Sequence, residues 1–173
     1  RDELESRLAA IWGEALGVPD IGIHDDFFDL GGHSLIAARM MAKIDAMVET
    51  PLPLAALFEA PTIALFAALI RDAKPVGQWA TAVVVQGKGR LPPVFAIPGV
   101  GGNVVCFATI ARHLGADRPL IGLQPRGLDG TAAPFDRVED IAAHYVEQMR
   151  AIQPSGPYRI LGICIGGVFA YEM

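Results

Sequence analysis

The spacing of apolar residues changes once in this chain, and that change limits what it can fold into. Up to about residue 71 the apolar residues recur at helical intervals. Leu4, Leu8, Ile11, Trp12 and Leu16 share one face of a predicted helix over residues 3–16, with Gly17 as its stop. A loop over residues 18–32 carries Asp, Gly and the pair Phe27-Phe28. A second helix is predicted from Ser34 to about Val48, with Ala37, Met40, Met41, Ile44 and Val48 as its stripe. Shorter helices are predicted over residues 54–58 and 62–71, with Pro61 at the junction. Four helices in some seventy residues make a small bundle.

Beyond residue 82 the pattern differs. Short β-branched runs at residues 83–85, 94–97, 120–123 and 158–163 read as strands. Helical patterns lie at residues 103–114, 136–152 and 166–173, and Asp136-x-x-Glu139 predicts a capping box for the middle one. Strands alternating with helices predict a parallel sheet with helical cover. The chain thus reads as a domain over residues 1–73, a linker over 74–82 marked by Pro75 and Gly77, and an α/β domain over 83–173. Charge divides in the same place. Residues 1–74 hold 6 basic and 12 acidic residues, a net of −6, whereas residues 75–173 hold 8 and 7. Neither part has the basic patch of a nucleic-acid binder.

Hydrophobic residues make up 52% of the 173, enough for two cores. The longest apolar run, residues 63–70, is too short to span a bilayer. No leader pattern opens the chain, and Cys106 and Cys164 form neither a framework nor a Cys-x-x-Cys pair, so a reducing cytoplasm is expected. No metal is expected. Arg1 opens directly into one helical pattern and Met173 closes inside another, which reads as a stretch of a longer polypeptide.

Two motifs carry chemistry. The first is Asp26-Phe27-Phe28-Asp29-Leu30-Gly31-Gly32-His33-Ser34-Leu35. A helix N-cap would account for Ser34 alone, not for the adjoining glycines or the aromatic pair. A helix start favours phosphate oxygens. The motif resembles the carrier-domain signature of non-ribosomal peptide synthetases. That resemblance covers about residues 3–73, including Leu57-Phe58-x-x-Pro61-Thr62, and implies a four-helix carrier with 4′-phosphopantetheine on Ser34. It also implies upstream adenylation and condensation domains and a phosphopantetheinyl transferase as partners. Leu35 and Ile36 stand equally as partner contacts or as core.

The second motif is Gly162-Ile163-Cys164-Ile165-Gly166-Gly167, between a predicted strand and a predicted helix. Gly-x-nucleophile-x-Gly in that context forms a nucleophile elbow, here with cysteine in place of the usual serine. Cys106 reads as a small packed thiol. An oxyanion hole would draw one backbone N–H from Ile165 and another from the loop after an earlier strand. Pro98-Gly99-Val100-Gly101-Gly102 occupies that place and makes Val100 the second donor. As a dinucleotide loop it fails, because Val104 stands where the third glycine belongs and no acid follows the next strand at Gln124. Residues 83–173 are similar to the front of an α/β-hydrolase thioesterase that ends such synthetases. Pro98 to Asn103, Leu123-Gln124-x-Arg126-Gly127 and Gly156 to Gly162 carry the likeness, although Ile97 stands where many relatives have His.

In that fold the acid and histidine follow the nucleophile. His24, His33, His113 and His144 all precede Cys164 and read as structural or solvent-facing, so acid and base are expected beyond residue 173. The resemblance implies acyl transfer from a Ser34-bound thioester to Cys164, then hydrolysis or cyclisation. The alternatives are a carrier and docking module with a non-catalytic α/β half, or a polyketide assembly line.

Overall fold

The structure, a computed structural model, describes residues 1–48, 51–72, 80–128 and 132–173. The chain divides into two compact units, Arg1–Gln78 and Trp79–Met173. Most of the expected linker, residues 74–79, lies outside the described residues.

The first unit contains α1 (Glu3–Leu16), α2 (Ser34–Asp45), the single turn α3 (Ala56–Glu59) and α4 (Ile63–Arg71). Helix α1 starts on a capping box in which Asp2 and Glu5 each accept the other's backbone N–H, and it ends on Gly17 at φ 68°. Helix α2 stops three residues short of the expected Val48. The core is aromatic. Trp12 meets Phe27 edge-on at 5.3 Å and Phe66 at 6.3 Å, and Phe27 meets Phe28 at 5.3 Å. Trp12, Phe27 and Phe66 are fully buried. Truncating a buried aromatic side chain of this size costs about 3–5 kcal/mol, so these rings dominate the unit's stability. Ion pairs tie the helix surfaces together: Lys43 to Glu14 at 2.6 Å, and Arg71 to Asp2. Each is exposed and contributes about 0.2–1 kcal/mol.

The second unit is a four-stranded sheet, β1 (Ala82–Gln86), β2 (Val94–Ile97), β3 (Leu120–Leu123) and β4 (Arg159–Gly162), in the order β1-β3-β2-β4. Strands β2, β3 and β4 are parallel, whereas β1 runs antiparallel to β3. The sheet is therefore mixed, not purely parallel as expected. Seven residues (87–93) join β1 to β2, too few for the crossover that a parallel return needs. Phe95, Ile97, Ile121 and Leu123 pack on Tyr145 and Met149 of α6 (Val138–Ile152), with Phe169 and Ala170 of α7 (Ile165–Glu172) at the margin. Burial pushes the Tyr145 phenol up to about 12, so it stays neutral in this core.

The other sheet face is covered by a 3-10 turn, Val104–Phe107, running into α5 (Ala108–His113). A methyl on Gly122 would lie 2.5 Å from Val104, so the turn sits directly on β3. The capping box expected at Asp136 is absent: Arg137 is the cap residue of α6 and makes no side-chain cap bond. The Glu139 carboxylate pairs instead with Arg137 Nε at 3.5 Å.

Candidate functional sites

In the first unit the Gly31-Gly32 pair is shaped by the aromatic core beneath it. Asp26 accepts the Phe28 N–H at 2.7 Å and the Asp29 N–H at 3.3 Å, which turns the chain. The Phe27 N–H donates to Pro61 O at 2.7 Å and pins the loop to the start of α4. Gly31 follows at φ 90°, a conformation costly for other residues. The Gly32 N–H donates to Phe27 O at 2.9 Å, and a Cβ on Gly32 would overlap the Phe27 ring. The Gly32→Ala chain is therefore expected to lose about 1–3 kcal/mol through overpacking. Denaturant melts of the first unit's transition in the full chain would read the loss, and an unchanged midpoint would contradict it.

This turn delivers Ser34 as the first residue inside α2, with His33, not Ser34, at the cap position. Ser34 is half-exposed and its hydroxyl has no protein partner among the described residues. Leu35 is 56% exposed, so core packing does not account for it, whereas Ile36 is half-buried.

In the second unit β2 and β4 are parallel neighbours, with Ile97 opposite Gly162. Their carboxyl ends, and the loops that follow, therefore lie side by side. The Ile163 N–H donates to Ile97 O at 3.1 Å and carries this pairing past the strand end. Cys164 comes next, at φ 55° and ψ −123°. Such a backbone costs a non-glycine residue about 1–3 kcal/mol and persists only where its surroundings impose it. Here a Cβ on Gly166 would lie 2.6 Å from Pro98 O, and one on Gly162 would overlap Gly166 O. The glycines let α7 start against the strand ends and turn Cys164 outward, where it is exposed.

The loop after β2 lies beside this thiol: a Cβ on Gly99 would be 3.2 Å from Cys164 Cβ. Val100, next to Gly99, is 90% exposed. The Gly166 and Gly167 N–H groups are used by Ile163 O and Cys164 O. No acceptor for the Ile165 or Val100 N–H is found among the described residues. Gly99's closeness to the thiol was not legible from its motif, because it depends on the register of β2 against β4.

The other sequence candidates fall elsewhere. Cys106 is exposed, contrary to the packed thiol expected, although its Sγ donates to Asn103 O at 3.3 Å and partial burial pushes its thiol up. His144 Nε2 lies 2.8 Å from Thr81 Oγ1, and His113 Nδ1 lies 2.8 Å from Thr109 O, so both have structural partners. His24 is exposed in the loop before Asp26. Gln124 is buried with Oε1 unpartnered, a feature its motif did not foretell. Among the described residues no cluster of His, Cys, Asp and Glu could hold a metal ion, and no helix is long and apolar enough to cross a membrane.

Comparison with known proteins places both units. Residues 6–70 match the phosphopantetheine attachment site family and residues 92–173 the thioesterase domain family. Along essentially its whole length the chain is 38% identical to malpinin synthetase of Mortierella alpina, of which it covers 2%. It is 37% identical to indigoidine synthase of Dickeya dadantii and 36% to a dimodular nonribosomal peptide synthase of Bacillus subtilis, covering 12% and 7% of those proteins. The chain thus spans only a small part of these relatives. The crystal structure of a holo four-domain nonribosomal peptide synthetase bound to AMP and glycine matches 99% of the chain at 31% identity and TM-score 0.53, the chain covering 13% of it. The cofactor of the first unit is 4′-phosphopantetheine, and a partnerless serine hydroxyl at the start of a 12-residue helix fits such a group. The chain is therefore a phosphopantetheine carrier domain followed by a stretch of thioesterase domain, and belongs to the non-ribosomal peptide synthetases.

Proposed function

We propose that Ser34 takes the phosphopantetheine and that Cys164 is the nucleophile that receives and releases the acyl or peptidyl group. The observation that carries the second role is the strained, exposed Cys164 backbone beside the Gly99 loop. When bound, the cofactor supplies a thiol on a flexible arm that holds an acyl group as a thioester.

Cys164 attacks the carbonyl carbon of such a thioester. A new carbon–Sγ bond forms, the old carbon–sulfur bond breaks, and the Cys164 proton passes to the departing thiol. The Val100 and Ile165 N–H groups face the oxygen on which negative charge develops. Pre-aimed donors of this kind are worth about 2.7–4 kcal/mol each when removed from comparable sites. Water or a nucleophile within the acyl chain then displaces Cys164, giving a free acid or a ring. None of the four histidines present is proposed as the base. We place the acid and base of the site outside residues 1–173.

The partners implied are adenylation and condensation domains and a phosphopantetheinyl transferase, with exposed Leu35 beside Ser34 as a contact. Transfer is tested by loading Ser34 in the whole synthetase with a labelled acyl group and digesting it for mass spectrometry. Label should appear on the Cys164 peptide. Its absence at every pH would favour a carrier beside a non-catalytic domain.

Cysteine also bears on the kind of release. An acyl group on Cys164 remains a thioester, as activated as its donor, whereas a serine would hold a less reactive oxoester. The site thereby favours release by weak nucleophiles, such as a hydroxyl closing a lactone. The Cys164→Ser protein is expected to release more slowly and to shift its products towards free acid. An unchanged product ratio and rate would contradict this.

A further inference from the structure

Among the described residues, Trp12 Nε1, Asp45 Oδ1, Gln124 Oε1 and Gln153 Oε1 are buried side-chain atoms with no hydrogen-bond partner. Of these, Gln124 alone stands at the carboxyl end of the sheet, the end that carries Cys164. Buried polar atoms are almost always paired, so an orphan marks strain or function. Gln124 is only 1% exposed. It is therefore out of reach of an acyl group and can act only through what lies over it.

What lies over it is the loop after β2. Ala96 pairs with Gly122 in the parallel β2–β3 ladder, so two residues further on Pro98 draws level with Gln124. The Gln124 N–H donates to Thr81 O at 2.7 Å, which continues the β1–β3 ladder past the strand end. Alternation along the strand then puts the Gln124 side chain on the face of Gly122, against which Val104 sits, and away from Leu123 in the α6 core. The loop that enters this face is braced at both ends. Gly99 stands against Cys164, and a Cβ on Gly102 would lie 2.5 Å from Pro125 Cγ. Within it the Gly102 N–H is used by Gly99 O, and the Val105 N–H by Asn103 Oδ1. The Val100 N–H is the one assigned above to the oxyanion. The N–H groups of Gly101 and Asn103 have no acceptor among the described residues.

We propose that Gln124 is a positioning residue for acyl transfer at Cys164: its buried side-chain carbonyl accepts a free N–H of the Gly99–Asn103 loop when the acyl carbonyl is seated, and so holds the Val100 N–H on the oxyanion. The inference rests on Cys164 being the acyl acceptor. It adds the part that fixes the second donor. Without that bond the resting protein carries an unsatisfied buried carbonyl, which lowers its stability. A group that weakens the resting fold and strengthens the reacting one has a signature that a structural group lacks. Its removal should slow the reaction without destabilising the chain.

The test is Gln124→Met, which keeps the length and volume of the side chain and removes its polar atoms. Ser34 in the whole synthetase is loaded with a labelled acyl group, and label on the Cys164 peptide is followed by quenched mass spectrometry. Denaturant melts of the second unit's transition in the full chain read stability. In Gln124→Met, transfer to Cys164 is expected to slow about tenfold, the loss of one hydrogen bond of ordinary strength. The melting midpoint should be unchanged or higher. Transfer at the wild-type rate would overturn this inference alone, since wild-type labelling would still identify Cys164 as the acceptor. A lowered midpoint would make Gln124 a structural polar group and overturn it as well. Wild-type protein that never carries label on Cys164 would refute the acceptor itself, and the role of Gln124 with it.

Discussion

With alanine at position 34 the chain is expected to gain no mass when incubated with coenzyme A and a phosphopantetheinyl transferase. The wild-type chain should gain one phosphopantetheine. The reason is chemical and positional. Attachment needs a hydroxyl that can attack the pyrophosphate of coenzyme A, and Ser34 presents one without a protein partner on the half-exposed start of α2. Ser6 is committed, its hydroxyl donating to Asp2 O at 2.7 Å inside α1. Alanine is also the best helix former, so Ser34→Ala should melt at the wild-type temperature. Loss of loading with folding intact would isolate the hydroxyl. Loading of the alanine chain at another serine would refute the assignment.

The second large effect is expected at Cys164. Replacing it by alanine should lower product release by the whole synthetase on the order of 10⁵–10⁶-fold, the scale seen when a hydrolase of this logic loses its nucleophile. Loading at Ser34 should be unchanged, because that chemistry belongs to the other unit. Labelled acyl groups should then accumulate on the carrier and never appear on the peptide that contains position 164. Release that survives Cys164→Ala at a substantial rate would assign Cys164 to structure and leave the thioesterase stretch as a partner domain. Alanine at position 164 inherits the same positive φ of 55°. A folding control is therefore part of the measurement, read as unchanged near-ultraviolet dichroism.

Both candidate sites were legible in the sequence to different depths. Ser34 and Cys164 could be picked out because each stands among glycines whose presence no ordinary helix or strand explains. What those glycines do was not legible. Gly32 is needed because the Phe27 ring lies under it, and Gly166 because Pro98 and Ile97 press against it. The helix read as starting at Ser34 does start there, with the turn over residues 26–32 placing His33 at the cap position. The capping box read at Asp136 and Glu139 failed for a local reason: Arg137 captured the carboxylate that would have reached back.

The sequence by itself determined the two-part organisation, the helical first unit, the strand–helix alternation of the second and the two motifs. These depend on local spacing, and the period of apolar residues is written along the chain. Tertiary structure alone decided the order β1-β3-β2-β4, the antiparallel β1 and the approach of the Gly99 loop to Cys164. Those features depend on which strand edges meet. A strand edge offers the same row of N–H and C=O groups whatever its side chains, so pairing is chosen by burial and loop length across the whole unit.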